Sequence, residues 1–388
     1  MADAEIGMGK VGRRGYRLDE VAVIPSRRTR DPRDVDVSWQ LDAYLFALPF
    51  MAAPRDGIVG PDSARLIDSA GGLAVLDLEG LWTRYADPAP LLEEVALLSA
   101  DRVTRRLQEI YAEPVKAELV AARVQAIADA GAVACGAVTP QRAAALVPVA
   151  AGAGLDVLVI AGTAISAEHV SRSAVGLDLE RFIRALDLPV IVGWCASYQG
   201  ALHLMRTGAV GVLVGLGPGE SAGSARRVLG VAAPMATAIA DAAGARSRHL
   251  EETGVYVHVV AEGPIATGGD VAAAIACGAD AVMLSTPLAA AAEMPGRGVW
   301  FAPAAGHATL PRGAVDRTPV LGTLEEILTG PSHDADGRCN LFGALRASMA
   351  MSGYGTVREF HKATMLVAPS PRRRIRRPGG TSGSGREA

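Results

Sequence analysis

The chain has 388 residues, 50% of them apolar and 20% charged, with a formal net charge of −3. That length suffices for one large domain with a substantial core, or for two ordinary ones. The near-neutral balance gives no global pull toward nucleic acid or a membrane surface. No run approaches the eighteen or so apolar residues of a membrane span. The opening MADAEIGMGK has no apolar core segment of a secretory signal. Cys135, Cys195, Cys277 and Cys339 form no C-x-x-C pair and no zinc spacing. A cytoplasmic protein with reduced thiols is expected.

Residues 1–47 read as an N-terminal arm that wraps a core. Within it YRLDEVAVIPS (16–26) alternates apolar and polar until Pro25, and SRRTR is solvated. Apolar, β-branched runs then recur at 48–53, 71–77, 132–138, 155–161, 189–194, 210–214, 256–261 and 281–285. Helical patterns fall between them at 63–70, 89–130 (broken near Pro114), 141–151, 199–207, 234–245 and 269–278. Eight such βα units over roughly 240 residues fit a TIM (β/α)₈ barrel better than an open sheet, which would want a dinucleotide fingerprint or a switch point. The expected organisation is arm 1–47, barrel 48–366 and a disordered, basic C-terminal tail 367–388, whose SPRRRIRR gives way to Gly and Ser.

In a barrel of this kind every strand-to-helix loop opens on one face, and the site lies there. The loops are 52–56, 77–80, 162–164, 194–197, 215–230, 262–269 and 285–287. The loop after the sixth strand, 215–230 (loop six), is the most informative: the run 210–214 breaks into GLGPGE, whose Gly215, Gly217 and Gly219 expose backbone amides suited to an anion. It continues through Arg226 and Arg227 to a helix near Pro234. Glu220 stands where G-x-G-x-x-G would have its last glycine, so this is not the dinucleotide motif.

The GPG of this loop resembles the catalytic loop of the IMP dehydrogenase/GMP reductase family. LPFMAAPRD, DVLVIAGTAIS, AEGPIATGGDVAAAIACGADAVMLSTPLA and GALRASMAMSGY resemble that family's first, fourth, and seventh-to-eighth barrel units and its C-terminal helix, in order. The resemblance spans about residues 16–365. The pair of CBS modules that most IMP dehydrogenases carry is absent, as in the short IMP dehydrogenase-related proteins of actinobacteria. It implies a purine-nucleotide oxidoreductase with NAD or NADP, IMP, GMP or XMP as partner, and a homo-oligomer. Nucleic acid and membrane are not expected partners. It further implies a phosphate site from Gly217, Gly219, Ser221, Gly263, Ser285 and Thr286, with Glu262 in the place of the ribose-binding aspartate.

The departures fall on reactive positions. Loop six reads GPGESAGSARR, with Ser221 and Ser224 where the family has its cysteine. A serine hydroxyl is a far weaker nucleophile at neutral pH unless a base activates it. Strand four ends in Ala161 instead of the aspartate that holds the nicotinamide ribose, Pro264 has no N–H to offer a phosphate, and no Arg-Tyr flap follows Arg312. Ser221, Ser224 and a displaced Cys195 are the candidate catalytic residues, although a cysteine at a strand end is more often a small core residue. Trp194 is expected to narrow the base pocket. Cys135, Cys277, His258 and His307 read as packing or satisfied residues, and no metal site is expected. Two alternatives accompany the family activity: a non-catalytic purine-mononucleotide-binding protein or regulator on the same barrel, and, less favoured, an FMN-dependent barrel.

Overall fold

The computed structural model describes residues 3–162, 165–169, 176–216, 230–302 and 314–368. Eight parallel strands form a closed barrel: Phe50–Ala52, Leu73–Asp77, Cys135–Val138, Val157–Ala161, Val190–Cys195, Gly211–Val214, His258–Glu262 and Ala281–Leu284. Each pairs with its neighbours in sequence, and the eighth returns to the first with Met283 opposite Met51. Hence all eight strand expectations hold, with ends shifted by at most three residues and strands five and seven each running one residue further, to Cys195 and Glu262.

Alternation along these strands divides two apolar layers. Met51, Val75, Val159, Leu213, Val260 and Met283 pack inside the barrel. Their sequence neighbours, such as Leu76, Ile160, Val212, Val259 and Val282, face the helices. Side chains inside make the barrel a packed core, not a pore. Among the surrounding helices, Gly268–Ala276 and Leu341–Met351 approach closely: a Cβ on Gly268 would lie 2.4 Å from the Ala344 methyl. Phe342 meets Phe50 at 5.4 Å between ring centroids, fixing the C-terminal helix against the first strand.

The segment 89–130 forms three helices, Ala89–Leu97, Ala100–Ala112 and Ala117–Asp129, and not two. Leu98 and Ser99 are extended, so the chain breaks there as well as near Pro114. The first two helices form a small core of their own with Leu81 and Phe301, over the carboxyl ends of the strands. The arm is more structured than its sequence announces. Val21–Val23 pairs antiparallel with Met365–Val367, joining the two ends of the chain. The hairpin Trp39–Leu41/Tyr44–Phe46 inserts Trp39, Leu41 and Phe46 into the amino end of the barrel. Trp39 and Phe46 stack at 5.3 Å, a contact worth about 0.5–1.5 kcal/mol beyond its buried area. No helix among the described residues is long and apolar enough to cross a membrane. The basic tail from residue 369 onward lies outside the described residues.

Candidate active site at the carboxyl end of the barrel

Strand seven alternates inward at Val260 and again at Glu262, so its last side chain enters the barrel mouth. Glu262 is fully buried. Its Oε2 accepts a hydrogen bond from the Trp194 indole N–H. Its Oε1 has no hydrogen-bond partner among the described residues and lies 3.8 Å from Nη2 of Arg55. Burial pushes the carboxyl up to about 8, against an opposing pull from Arg55. Desolvation outweighs the nearby charge because 3.8 Å without a hydrogen bond is a weak pairing. At neutral pH Glu262 therefore keeps its proton.

Arg55 follows the first strand in PRD and is also buried; its Nη1 donates to the Pro54 carbonyl at 3.1 Å. Its guanidinium lies 5.9 Å from the Trp194 ring centroid. The next residue, Asp56, accepts from the Leu81 amide at 2.7 Å and from the Tyr111 hydroxyl. Loop one is thus tied to loop two and to the helical pair above it. Asp77 caps its own loop through the Glu79 amide, and Glu79 in turn accepts from the Thr139 amide at 2.7 Å. Sequence reading placed 52–56 among the site loops without singling out Arg55. An arginine three residues past a buried strand was the available signal, since a buried cation requires an acidic or aromatic partner.

Trp194 reaches Glu262 because strand five carries a bulge. Gly193 pairs with Leu213 and Cys195 with Val214, leaving Trp194 unmatched between them. One extra residue reverses the facing of everything after it. Trp194 turns into the barrel and Cys195 turns out toward the helices. Loop four holds the place, with the Ile165 amide donating to the Trp194 carbonyl at 3.0 Å. Cys195 is buried, its thiol donating to the Leu213 carbonyl at 3.6 Å, and burial pushes it up to about 12. A thiol so held is neither ionised nor turned to the mouth.

The other expected residues lie around the same rim. Gly215, at φ +152°, starts loop six so close to strand seven that a Cβ would lie 2.0 Å from the Glu262 carbonyl; no other residue fits. Gly263 packs on Met235, 2.9 Å from the position of a Cβ, at the start of the helix that follows loop six. Ser285 follows strand eight directly and stands at the N-cap of the short helix Thr286–Ala289. It is 5% exposed, and its Oγ has no hydrogen-bond partner among the described residues. Ala161 closes strand four with an apolar side chain inside the barrel. Gly217, Gly219, Ser221, Ser224, Arg226, Arg227, His307 and Arg312 lie outside the described residues. No group of three or more His, Cys, Asp or Glu arranged for a metal exists among the described residues. His258 is held at one ring nitrogen: its Nδ1 accepts from the Trp39 indole at 3.2 Å.

A (β/α)₈ barrel with a buried carboxyl, guanidinium and serine hydroxyl at its carboxyl end belongs to the barrel class whose active sites sit at that end. The sequence model of the "IMP dehydrogenase / GMP reductase domain" matches residues 15–372, and the chain belongs to that family. It is 49% identical over 373 residues to an "uncharacterized oxidoreductase" of Mycolicibacterium smegmatis, covering 94% of this chain and 99% of that protein. It is 35% identical over 265 residues to the inosine-5′-monophosphate dehydrogenase of Haemophilus influenzae, covering 61% of this chain and 49% of that enzyme. An IMP dehydrogenase/GMP reductase-like protein from Corynebacterium glutamicum superposes with a TM-score of 0.88 at 43% identity, covering 94% of this chain and 97% of that one. At family level the chain is an IMP dehydrogenase-like oxidoreductase.

Proposed function

We propose that the barrel mouth binds a purine 5′-mononucleotide (IMP, GMP or XMP), with its phosphate at Gly263, Ser285 and Thr286 and at Gly217, Gly219 and Ser221 of loop six. The observation that carries this reading is the buried, unpartnered Ser285 hydroxyl at the end of strand eight. A buried hydroxyl without a partner costs about 1–3 kcal/mol, and a phosphate oxygen removes that cost. In this reading the Glu262 carboxyl exchanges its bond from the Trp194 indole for the ribose hydroxyls. Kept protonated, it offers them a donor as well as an acceptor.

The family's nicotinamide cofactor does not fit the described residues in the family's manner. Ala161 presents a methyl group where a ribose would need an acceptor, and Trp194 fills the adjoining space. No hydride step is therefore derived. A second reading, a mononucleotide-binding protein without the covalent step, is favoured by Cys195. The thiol faces the helices and is protonated, and loop six supplies serines in place of a thiol.

Calorimetric titration with IMP, GMP and XMP, followed by turnover assays with NAD and NADPH, separates the outcomes. Binding of one nucleotide without turnover supports the second reading, and turnover dependent on NAD or NADP restores the family activity. Failure of all three to bind removes the mononucleotide site. A 6-chloropurine nucleotide, which arylates a reactive site thiol, is expected to leave all four cysteines unmodified in the native protein. Labelling of Cys195 would return it to the catalytic set.

A further inference from the structure

A second concavity lies at the opposite end of the barrel. Its volume is about 760 Å³, and it is lined by the turn of the inserted hairpin, the starts of strands six and seven, and the ends of the helices Tyr198–Met205 and Met235–Thr253. That volume falls within the range of small-molecule sites, roughly 300–1,000 Å³. Its lining is of mixed character. Met205, Val210 and Val255 are apolar; Arg184, Arg206 and Arg358 are cationic, and Asp42 is the single acidic lining residue.

The three arginines differ in their partners. Arg184 pairs with Glu180 and Arg206 with Glu252. Arg358 lies over the Tyr256 ring, 4.3 Å from its centroid, with no ion pair among the described residues. The nearby Asp280 carboxylate is already occupied by Arg246 at 2.7 Å, by the Tyr256 hydroxyl at 2.5 Å and by the Val259 amide at 2.8 Å. The aromatic face orients Arg358 without neutralising it.

Two histidines complete the lining. His258 accepts at Nδ1 from Trp39, which puts its proton on Nε2, a donor with no bond to the described residues. His249 is 5% exposed, and its Nδ1 has no partner among the described residues. Burial, and then the charge of Arg206, hold it neutral. A cavity of this size, with an uncompensated guanidinium, an imidazole donor, a buried unpartnered imidazole nitrogen and an apolar wall, is complementary to an amphiphilic anion.

We propose that this cavity is a second ligand site, for a small organic anion whose phosphate or carboxylate meets Arg358 and His258 and whose apolar body lies against Val210 and Val255. It is separate from the barrel mouth, with the packed barrel interior between the two, and the proposal is independent of the reading given to the mouth.

The test is calorimetry on the full chain with phenyl phosphate, phenylacetate and inorganic phosphate as probes. The Trp39 indole N–H, assigned through Trp39→Phe, serves as a local NMR reporter because its acceptor lines the cavity. At least one aromatic probe is expected to bind and shift that resonance, and the better of the two shows whether the site prefers phosphate or carboxylate. Arg358→Gln is expected to weaken it about tenfold or more, as loss of a charge-assisted bond does. Val255→Glu, at a 55% exposed rim position, is expected to weaken it similarly by like charge. Arg358→Lys is expected to retain part of the affinity. Ser285→Ala/Thr286→Asp, at the far end, is expected to change nothing. Failure of both aromatic probes to bind at millimolar concentration would overturn the proposal. So would equal binding of inorganic phosphate, indifference to both Arg358→Gln and Val255→Glu, or loss of binding in the Ser285/Thr286 variant.

Discussion

The two ends of this barrel are made by the same eight strands and have opposite characters. At the amino end an aromatic hairpin closes the interior, with Trp39 and Phe46 stacked and the Trp39 indole bonded to His258. Charge there is kept to the rim, in a cavity beside the plug. At the carboxyl end the interior terminates in a carboxyl group, an arginine and an indole, all buried. The amino end spends its hydrophobic residues on closure. The carboxyl end retains buried polar atoms, Oε1 of Glu262 and Oγ of Ser285, without a hydrogen-bond partner among the described residues, and orphaned polarity of this kind marks sites more often than cores.

The sharpest probe of that contrast is the pH dependence of Glu262. Its carboxyl is raised from an ordinary 4.5 to about 8. Between those values the folded state holds a proton that the unfolded chain has released. Stability is therefore full below 4.5, falls as pH rises toward 8, and is level above it. Glu262→Gln removes this term. The difference between wild type and variant in denaturant unfolding is expected to grow in the variant's favour across that window, by up to about 1.4 kcal/mol per pH unit. A pH-independent difference would show that Glu262 is ionised and paired.

At the other end, Trp39→Ala withdraws the plug. A loss of about 3–5 kcal/mol is expected from the emptied space, seen as a lower midpoint in urea at every pH. A pH-independent loss at one end beside a pH-dependent gain at the other is the signature of the contrast. A Trp39→Ala protein as stable as the parent would mean that the hairpin rests on the barrel without closing it.

Ligand affinity divides the ends next. Ser285→Ala/Thr286→Asp removes a buried donor and adds like charge, so mononucleotide binding is expected to fall about 100-fold. Thermal stability should change little by comparison with Trp39→Ala. Undiminished affinity would move the phosphate away from strand eight.

The smallest effect is expected from Trp194→Phe, which frees Oε2 of Glu262 without emptying the mouth. If ribose hydroxyls replace the indole, affinity for the mononucleotide should rise about threefold to tenfold, the scale of one neutral hydrogen bond. A 2′,3′-dideoxynucleotide should gain less. A drop in affinity for both ligands would instead make Trp194 a stacking surface for the base.

The barrel and its family were determined by the sequence alone. Eight apolar runs, each followed by a helical pattern, allow few closures, because short parallel strands with helical crossovers bury both faces only in a wound sheet or a barrel. The order of LPFMAAPRD, DVLVIAGTAIS and the strand-seven-to-eight stretch selected the family. The identities of Glu262, Ser285 and Thr286 and their places at strand ends were likewise readable, since strand ends in a barrel are site positions whatever the packing.

What only the tertiary structure decided are the features set by register and by distant partners. Alternation in VIVGWC faces Cys195 the same way as Ile191 and Gly193. The bulge at Trp194 reverses this; Gly193 within the run signals that a bulge can form there but not which residue it leaves unmatched. The meeting of Arg55 with Glu262, 207 positions apart, depends on strand eight returning to strand one. The proton on Glu262 depends in turn on how completely its neighbours exclude water. The hairpin 39–46 read as part of a wrapping arm because each of its strands is only three residues long, too short for its alternation to stand out. Its role as a plug exists only once eight strands have formed the opening that it fills. Periodicity records which face of an element is apolar. Burial, pairing and charge state are properties of the assembled neighbours, and these the chain acquires only on closing.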